Sequence, residues 1–88
     1  MTEVEEIEEV DIKDAFSSKL IVWNDDHNSF QDVIEALITV CQHNLQQAEQ
    51  CTLIIHNNGK CAVKDGDYDK LKPMKEAITE RGIKATIS

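Results

Sequence analysis

The residues able to do chemistry fall in two short stretches. Asn24-Asp25-Asp26 stands where an apolar run, Lys19 to Trp23, stops and a helical pattern begins. Asn and Asp at such a junction commonly satisfy loose backbone N–H groups through Asx turns. One turn needs one such side chain, and three exceed that need. A surplus carboxylate and amide beside an apolar helix face make a site for a cation with an apolar body. The second stretch holds His56, near the end of a later helix, where an imidazole can also simply interact with exposed carbonyls and the helix dipole. Its functional value therefore depends on whether the fold carries it to Asn24 and Asp25.

Other chemistries find little support. The three glycines, Gly59, Gly66 and Gly82, sit at element ends, so there is no Gly-rich phosphate loop, nucleophile elbow or cofactor element. Cys51 and His56 lie five positions apart on one predicted helix and point in different directions, which argues against a cysteine hydrolase. Cys51, His56 and Cys61 lack the short Cys-x-x-Cys type spacing of a zinc site. With Cys41, the odd cysteine count argues against a disulfide framework and for buried thiols acting as small apolar side chains in a reduced compartment.

The elements that must position these residues are short. Lys19–Trp23 reads as a strand with apolar residues on both faces. Phe30, Val33, Ile34, Leu37, Ile38 and Cys41 follow helical spacing, giving a first helix over about 29–43 with Asn28 as N-cap and Gln31 as its capping-box partner. Asn44 and Gln47 repeat that signal ahead of a second helix that stops at Gly59. Within it Cys51-Thr-Leu-Ile-Ile55 has strand propensity, and the cap and glycine stop favour the helix over it. Lys60–Lys64 reads as a short strand and Asp65-Gly66-Asp67 as a turn. Leu71, Met74, Ala77 and Ile78 mark a third helix ending at Gly82, with Pro73 tolerable only near its first turn. Ile83–Ile87 closes the chain as an alternating strand.

The order β-α-α-β-α-β predicts one small α+β domain, a three-stranded antiparallel sheet packed against three helices. Eighty-eight residues exclude a two-domain enzyme. The net charge of −8 argues against nucleic-acid binding through phosphates. That charge is uneven. Residues 1–14 carry seven acids and one base, net −6, whereas the rest carries ten acids and eight bases, net −2. Residues 1–16 are therefore read as an acidic extension, mobile on its own, and residues 17–88 as the domain. No apolar run is long enough to span a membrane and no signal peptide is recognisable, so the expected location is cytoplasmic.

Leu20-Ile-Val-Trp-Asn-Asp-Asp26, followed by a helix, Ala48, and then Ile55-His56-Asn57-Asn58-Gly59-Lys60-Cys61-Ala62-Val63, resembles the ClpS adaptor family. The resemblance covers about Lys19 to Val63 and resumes at Ala85-Thr86-Ile87. It implies an adaptor, not an enzyme, that binds proteins bearing a bulky hydrophobic N-terminal residue and delivers them to a Clp-type AAA+ unfoldase, ClpA-like or ClpC-like. It further implies that Asn24, Asp25 and His56 hold the free α-amino group. Asp26, Asn28, Phe30, Val33, Thr52, Ile55 and Ile83 would form the pocket for the first side chain. Phe30 and Thr52 stand where the family usually has methionine, which leaves the preferred first residue open. The competing readings are a plain interaction domain whose acidic tail binds a basic partner and, ranked far lower, a small enzyme using Asp25 or Asp26 with His56.

Overall fold

The computed structural model describes residues 17–88, and the predicted acidic extension lies outside the described residues. Strand β1, Ser18–Trp23, runs into a loop that leads to helix α1, Phe30–Cys41. Helix α2, Leu45–Asn58, follows, then strand β2, Lys60–Gly66, helix α3, Tyr68–Glu80, and strand β3, Ala85–Ile87. The sheet order is β2-β1-β3 with both pairings antiparallel, so the first strand is central.

The core is aliphatic. Leu20 and Val22 of β1 are buried with Val63 of β2 and Ala85 of β3, and they meet Ile34, Leu37 and Cys41 of α1, Ala48 and Ile55 of α2, and Leu71 and Ile78 of α3. The alternation of β1 turns Lys19, Ile21 and Trp23 to the opposite face, where Ile21 and Trp23 remain half-buried. Register shifts between Leu20, paired with Lys64, and Ile21, paired with Ala62, so Val63 is an extra residue in β2. Burial pushes the Cys41 thiol up to about 11, and burial together with the neighbouring Cys51 does the same to Cys61. Neither is a ready nucleophile at neutral pH.

Five local readings are corrected. Ser29, not Asn28, caps α1: its hydroxyl accepts from Asp32 N–H at 3.1 Å while the Asp32 carboxylate accepts from Ser29 N–H at 3.2 Å. Asp32 outcompetes Gln31 because a reciprocal cap with a carboxylate also suits the positive end of the helix dipole. The same helix stops at Cys41, where Gln42 turns left-handed with φ 60°. Strand β2 runs on to Gly66 because Asp65 and Gly66 pair with Lys19 and Ser18, which leaves Asp67 as the N-cap position of α3, not part of a turn. Pro73 lies beyond the first turn of α3, which begins at Tyr68; its missing N–H frees the carbonyl of Asp69, an exposed residue. At the other chain end β3 begins only at Ala85, though Trp23 N–H still donates to Lys84 C=O at 3.0 Å.

Helix α2 forms as expected. The Asn44 side chain accepts from Gln47 N–H at 2.7 Å. The β-branched segment is helical because Ala48, Thr52 and Ile55 make one buried stripe, and that burial overrides strand propensity. The helix ends at Gly59, whose φ of 94° passes the chain directly into β2. A side chain there would meet no neighbouring atom, so only backbone strain opposes one. Gly59→Ala should therefore cost about 1–2 kcal/mol in urea unfolding, with an unchanged slope against denaturant.

Candidate functional site

Two connections assemble the site. Trp23, the last residue of β1, pairs with Lys60, the first of β2, and the next residue, Asn24, donates its N–H to Gly59 C=O at 2.8 Å. Since Gly59 also terminates α2, the end of the first strand and the last turn of that helix are held side by side. His56 lies in that turn. The fold thus brings it to Asn24 and Asp25, although more than thirty positions separate them in sequence.

The loop between β1 and α1 is built around one carboxylate. Asp25 Oδ1 accepts from the N–H groups of His27 and Asn28, both at 2.9 Å, and from Asn28 Nδ2 at 3.2 Å. Its Oδ2 accepts from Asn28 Nδ2 at 3.0 Å. The Asn28 amide also donates to Gly82 C=O at 2.8 Å, which pins the loop to the turn before β3. Burial pushes the Asp25 carboxyl up, but the hydrogen bonds from Asn28 and His27, aided by the His27 charge, outweigh it and hold the group below its ordinary value. Asp25 is therefore a stable anion, and Oδ2 keeps capacity for a further donor.

A cavity of about 200 Å³ opens between this loop, the first turn of α1 and the last turns of α2. Asn24, Asp25, Asp26, Asn28 and Ser29 line it from the loop, Phe30 and Val33 from α1, and Thr52, Ile55 and His56 from α2. Its rim carries two carboxylates and no lysine or arginine, which favours a cation. Thr52 is buried and its hydroxyl donates to Ala48 C=O at 2.7 Å, so its polar atom is already satisfied. With Val33 and Ile55 it supplies an essentially apolar wall. The Phe30 and His56 rings meet edge to face at 5.8 Å, closing one side across the two helices.

Of the residues expected at the site, Ile83 alone does not line the cavity. It is 2% exposed and belongs to the core, while its neighbour Gly82 supports the site through the bond to Asn28. Ser29 lines the cavity without having been expected there; its signal was the Ser-x-x-Asp capping box that places it at the start of α1. A larger but wide-open depression of about 690 Å³ lies between α1 and α3, lined by Thr39, Val40, Pro73, Met74, Ala77, Glu80 and Arg81. It lacks the convergent acceptors of the smaller cavity. Among the described residues no group of histidine, cysteine and carboxylate side chains is placed to hold a metal ion, and no helix is long and apolar enough to cross a membrane.

A family sequence model described as "ATP-dependent Clp protease adaptor protein ClpS" matches residues 13–86. This chain belongs to the ClpS adaptor family. The ClpS of Corynebacterium aurimucosum is 32% identical over 89 aligned positions, covering 97% of this chain and 78% of that protein. The ClpS of Campylobacter jejuni is 34% identical over 59 positions, covering 67% of this chain and 62% of its own length, so the match spans about three-fifths of that relative. Among solved structures, Agrobacterium tumefaciens ClpS2 bound to L-phenylalaninamide superposes with a TM-score of 0.75 at 20% identity, covering 82% of this chain and 94% of that one. The likeness bears out the α+β fold of three helices and a three-stranded antiparallel sheet. The family is one of protease adaptors, not of enzymes.

The depressed Asp25 carboxyl has a measurable consequence for stability. Its ionised form is favoured in the folded state, so it stabilises the fold above the unfolded value of 3.8 and that contribution is lost as pH falls through the lower folded value. Asp25→Asn should therefore lose less stability than the native chain when urea midpoints are compared between pH 5 and pH 2. Asn28→Ala should move the Asp25 carboxyl back up in an NMR titration, and an unmoved carboxyl would show that the loop bonds do not hold it down.

Proposed function

We propose that the cavity takes the N-terminus of a protein substrate, with the free α-amino group at Asn24, Asp25 and His56 and a bulky apolar first side chain against Phe30, Val33, Thr52 and Ile55. The adaptor would hand that substrate to a Clp-type AAA+ unfoldase, ClpA-like or ClpC-like, in the cytoplasm. The observation that carries this reading is the pairing, in one small cavity, of an acidic amide-bearing rim with an apolar wall. At about 200 Å³ the space is below the roughly 300–1,000 Å³ of ordinary small-molecule pockets and suits a single side chain. The compound bound to the Agrobacterium ClpS2, L-phenylalaninamide, has this chemistry: a free α-amino group, a bulky apolar side chain and a blocked carboxyl.

The energetics suit an adaptor. An α-amino group titrates near 7.7–8.0, so at neutral pH it is mostly an ammonium and matches a permanent carboxylate. Burying a Leu- or Phe-sized side chain contributes about 1.5–3 kcal/mol, and each hydrogen bond to the charged amine adds about 1.5–3 kcal/mol. After the costs of association the net falls near −8 kcal/mol, about micromolar, which permits release. Asp26 adds negative potential at the rim, and Asn28 holds Asp25 in place.

Fluorescence anisotropy tests the reading with three labelled peptides: one beginning with Leu or Phe, its N-acetylated copy, and one beginning with Ser. The first should bind about 10- to 100-fold more tightly than either other. Equal binding of all three would falsify amine recognition. Asp25→Asn and His56→Ala should each weaken the first peptide by about 10-fold or more, provided circular dichroism confirms the fold. Deleting residues 1–14 should leave that affinity nearly intact while impairing transfer to the unfoldase, because the extension serves delivery and the cavity serves capture.

A further inference from the structure

The face of the sheet turned away from the helices carries a second constellation. Lys19, Ile21 and Trp23 of β1 lie on it, flanked by Lys60 and Ala62 of β2 and by Lys84 and Thr86 on the β3 side. Trp23 is held rigidly there: Nε1–H donates to Thr86 Oγ1 at 2.9 Å, and the ammonium groups of Lys60 and Lys84 lie 4.9 and 5.1 Å from its ring centroid. Lys19 is 3.9 Å from Asp65, the one ion pair among the described residues, so Lys60 and Lys84 have no carboxylate partner there. In a chain of net charge −8 this is a basic surface with an aromatic and aliphatic centre.

We propose that this open face is the docking site of the chain's own acidic extension, residues 1–14. Charge complementarity and tethering carry the assignment. The segment has seven acids against one base and places Val4, Ile7 and Val10 at regular intervals among the acids, so it offers carboxylates to Lys60 and Lys84 and apolar groups to Ile21 and Trp23. The described chain begins at Ser17, directly before β1. From Ser18 to Trp23 the strand covers roughly 17 Å at 3.3 Å per residue, whereas fourteen extended residues reach about 45–50 Å, ample to turn back and cross the face. A short tether supplies an effective concentration of the order of millimolar, enough to make weak exposed ion pairs and a small apolar contact count. The face is on the side of the sheet away from the helices that wall the cavity, so docking there leaves peptide capture open while withholding the extension from delivery.

Trp23 is the only tryptophan and reports directly on this face. Acrylamide quenching of the full chain and of a chain lacking residues 1–14 gives the test. Deletion should raise the quenching constant roughly twofold, and 1 M NaCl should do the same to the full chain but not to the truncated one, because screening shortens to about 3 Å. In a Lys60→Gln/Lys84→Gln background, with the fold verified by circular dichroism, deletion should change quenching no further. Equal quenching of full and truncated chains overturns the proposal. So does protection of Trp23 that rises with protein concentration, which would make the occupant a second copy.

Discussion

The bond from Asn24 N–H to Gly59 C=O, with the Trp23–Lys60 pairing beside it, is the constraint on which the site depends. A strand end and a helix end meet there because Gly59, at φ 94°, makes without strain the left-handed turn that takes α2 straight into β2. With no linker between helix and strand, whatever occupies the last helical turn must lie beside whatever follows β1. His56 and Asn24 are neighbours for that reason, and the cavity is the space left between the two element ends and the first turn of α1. Change the angle at that glycine and the rim separates from the apolar wall even if every residue survives.

A second consequence concerns Asp25, which has two duties. Its Oδ1 organises the loop through His27 and Asn28, while Oδ2 retains acceptor capacity toward the cavity. The bonds that organise the loop are also those that hold the carboxyl below its ordinary value. Loop building and permanent charge are one physical arrangement, and both come before any ligand arrives. That is preorganisation: the ordering cost of the anion is met during folding and not at the moment a ligand binds.

Much of this was legible from residue type and spacing, because helical periodicity and cap signals are local. The Asn44 cap, the Gly59 stop and the apolar stripe of α2 outweighed the β-branched run at Thr52–Ile55, and the structure agrees. What local reasoning missed were choices decided by distant partners. Asn28 and Ser29 are both good caps; the decision fell to Ser29 because the Asn28 amide is claimed by Asp25 and by Gly82, 54 positions away. Strand β2 outruns its composition because β1 offers partners as far as Ser18. Ile83, which the family resemblance placed at the pocket, is buried in the core and does not line the cavity.

The net charge of −8 describes no actual surface of this molecule. At the cavity two carboxylates stand on the rim, and on the sheet face turned from the helices two lysines without a carboxylate partner among the described residues flank an indole. Adjacent residues reach these two surfaces because alternation along β1 sends Trp23 to the open face of the sheet while the residue after it, Asn24, leaves the sheet and lines the cavity.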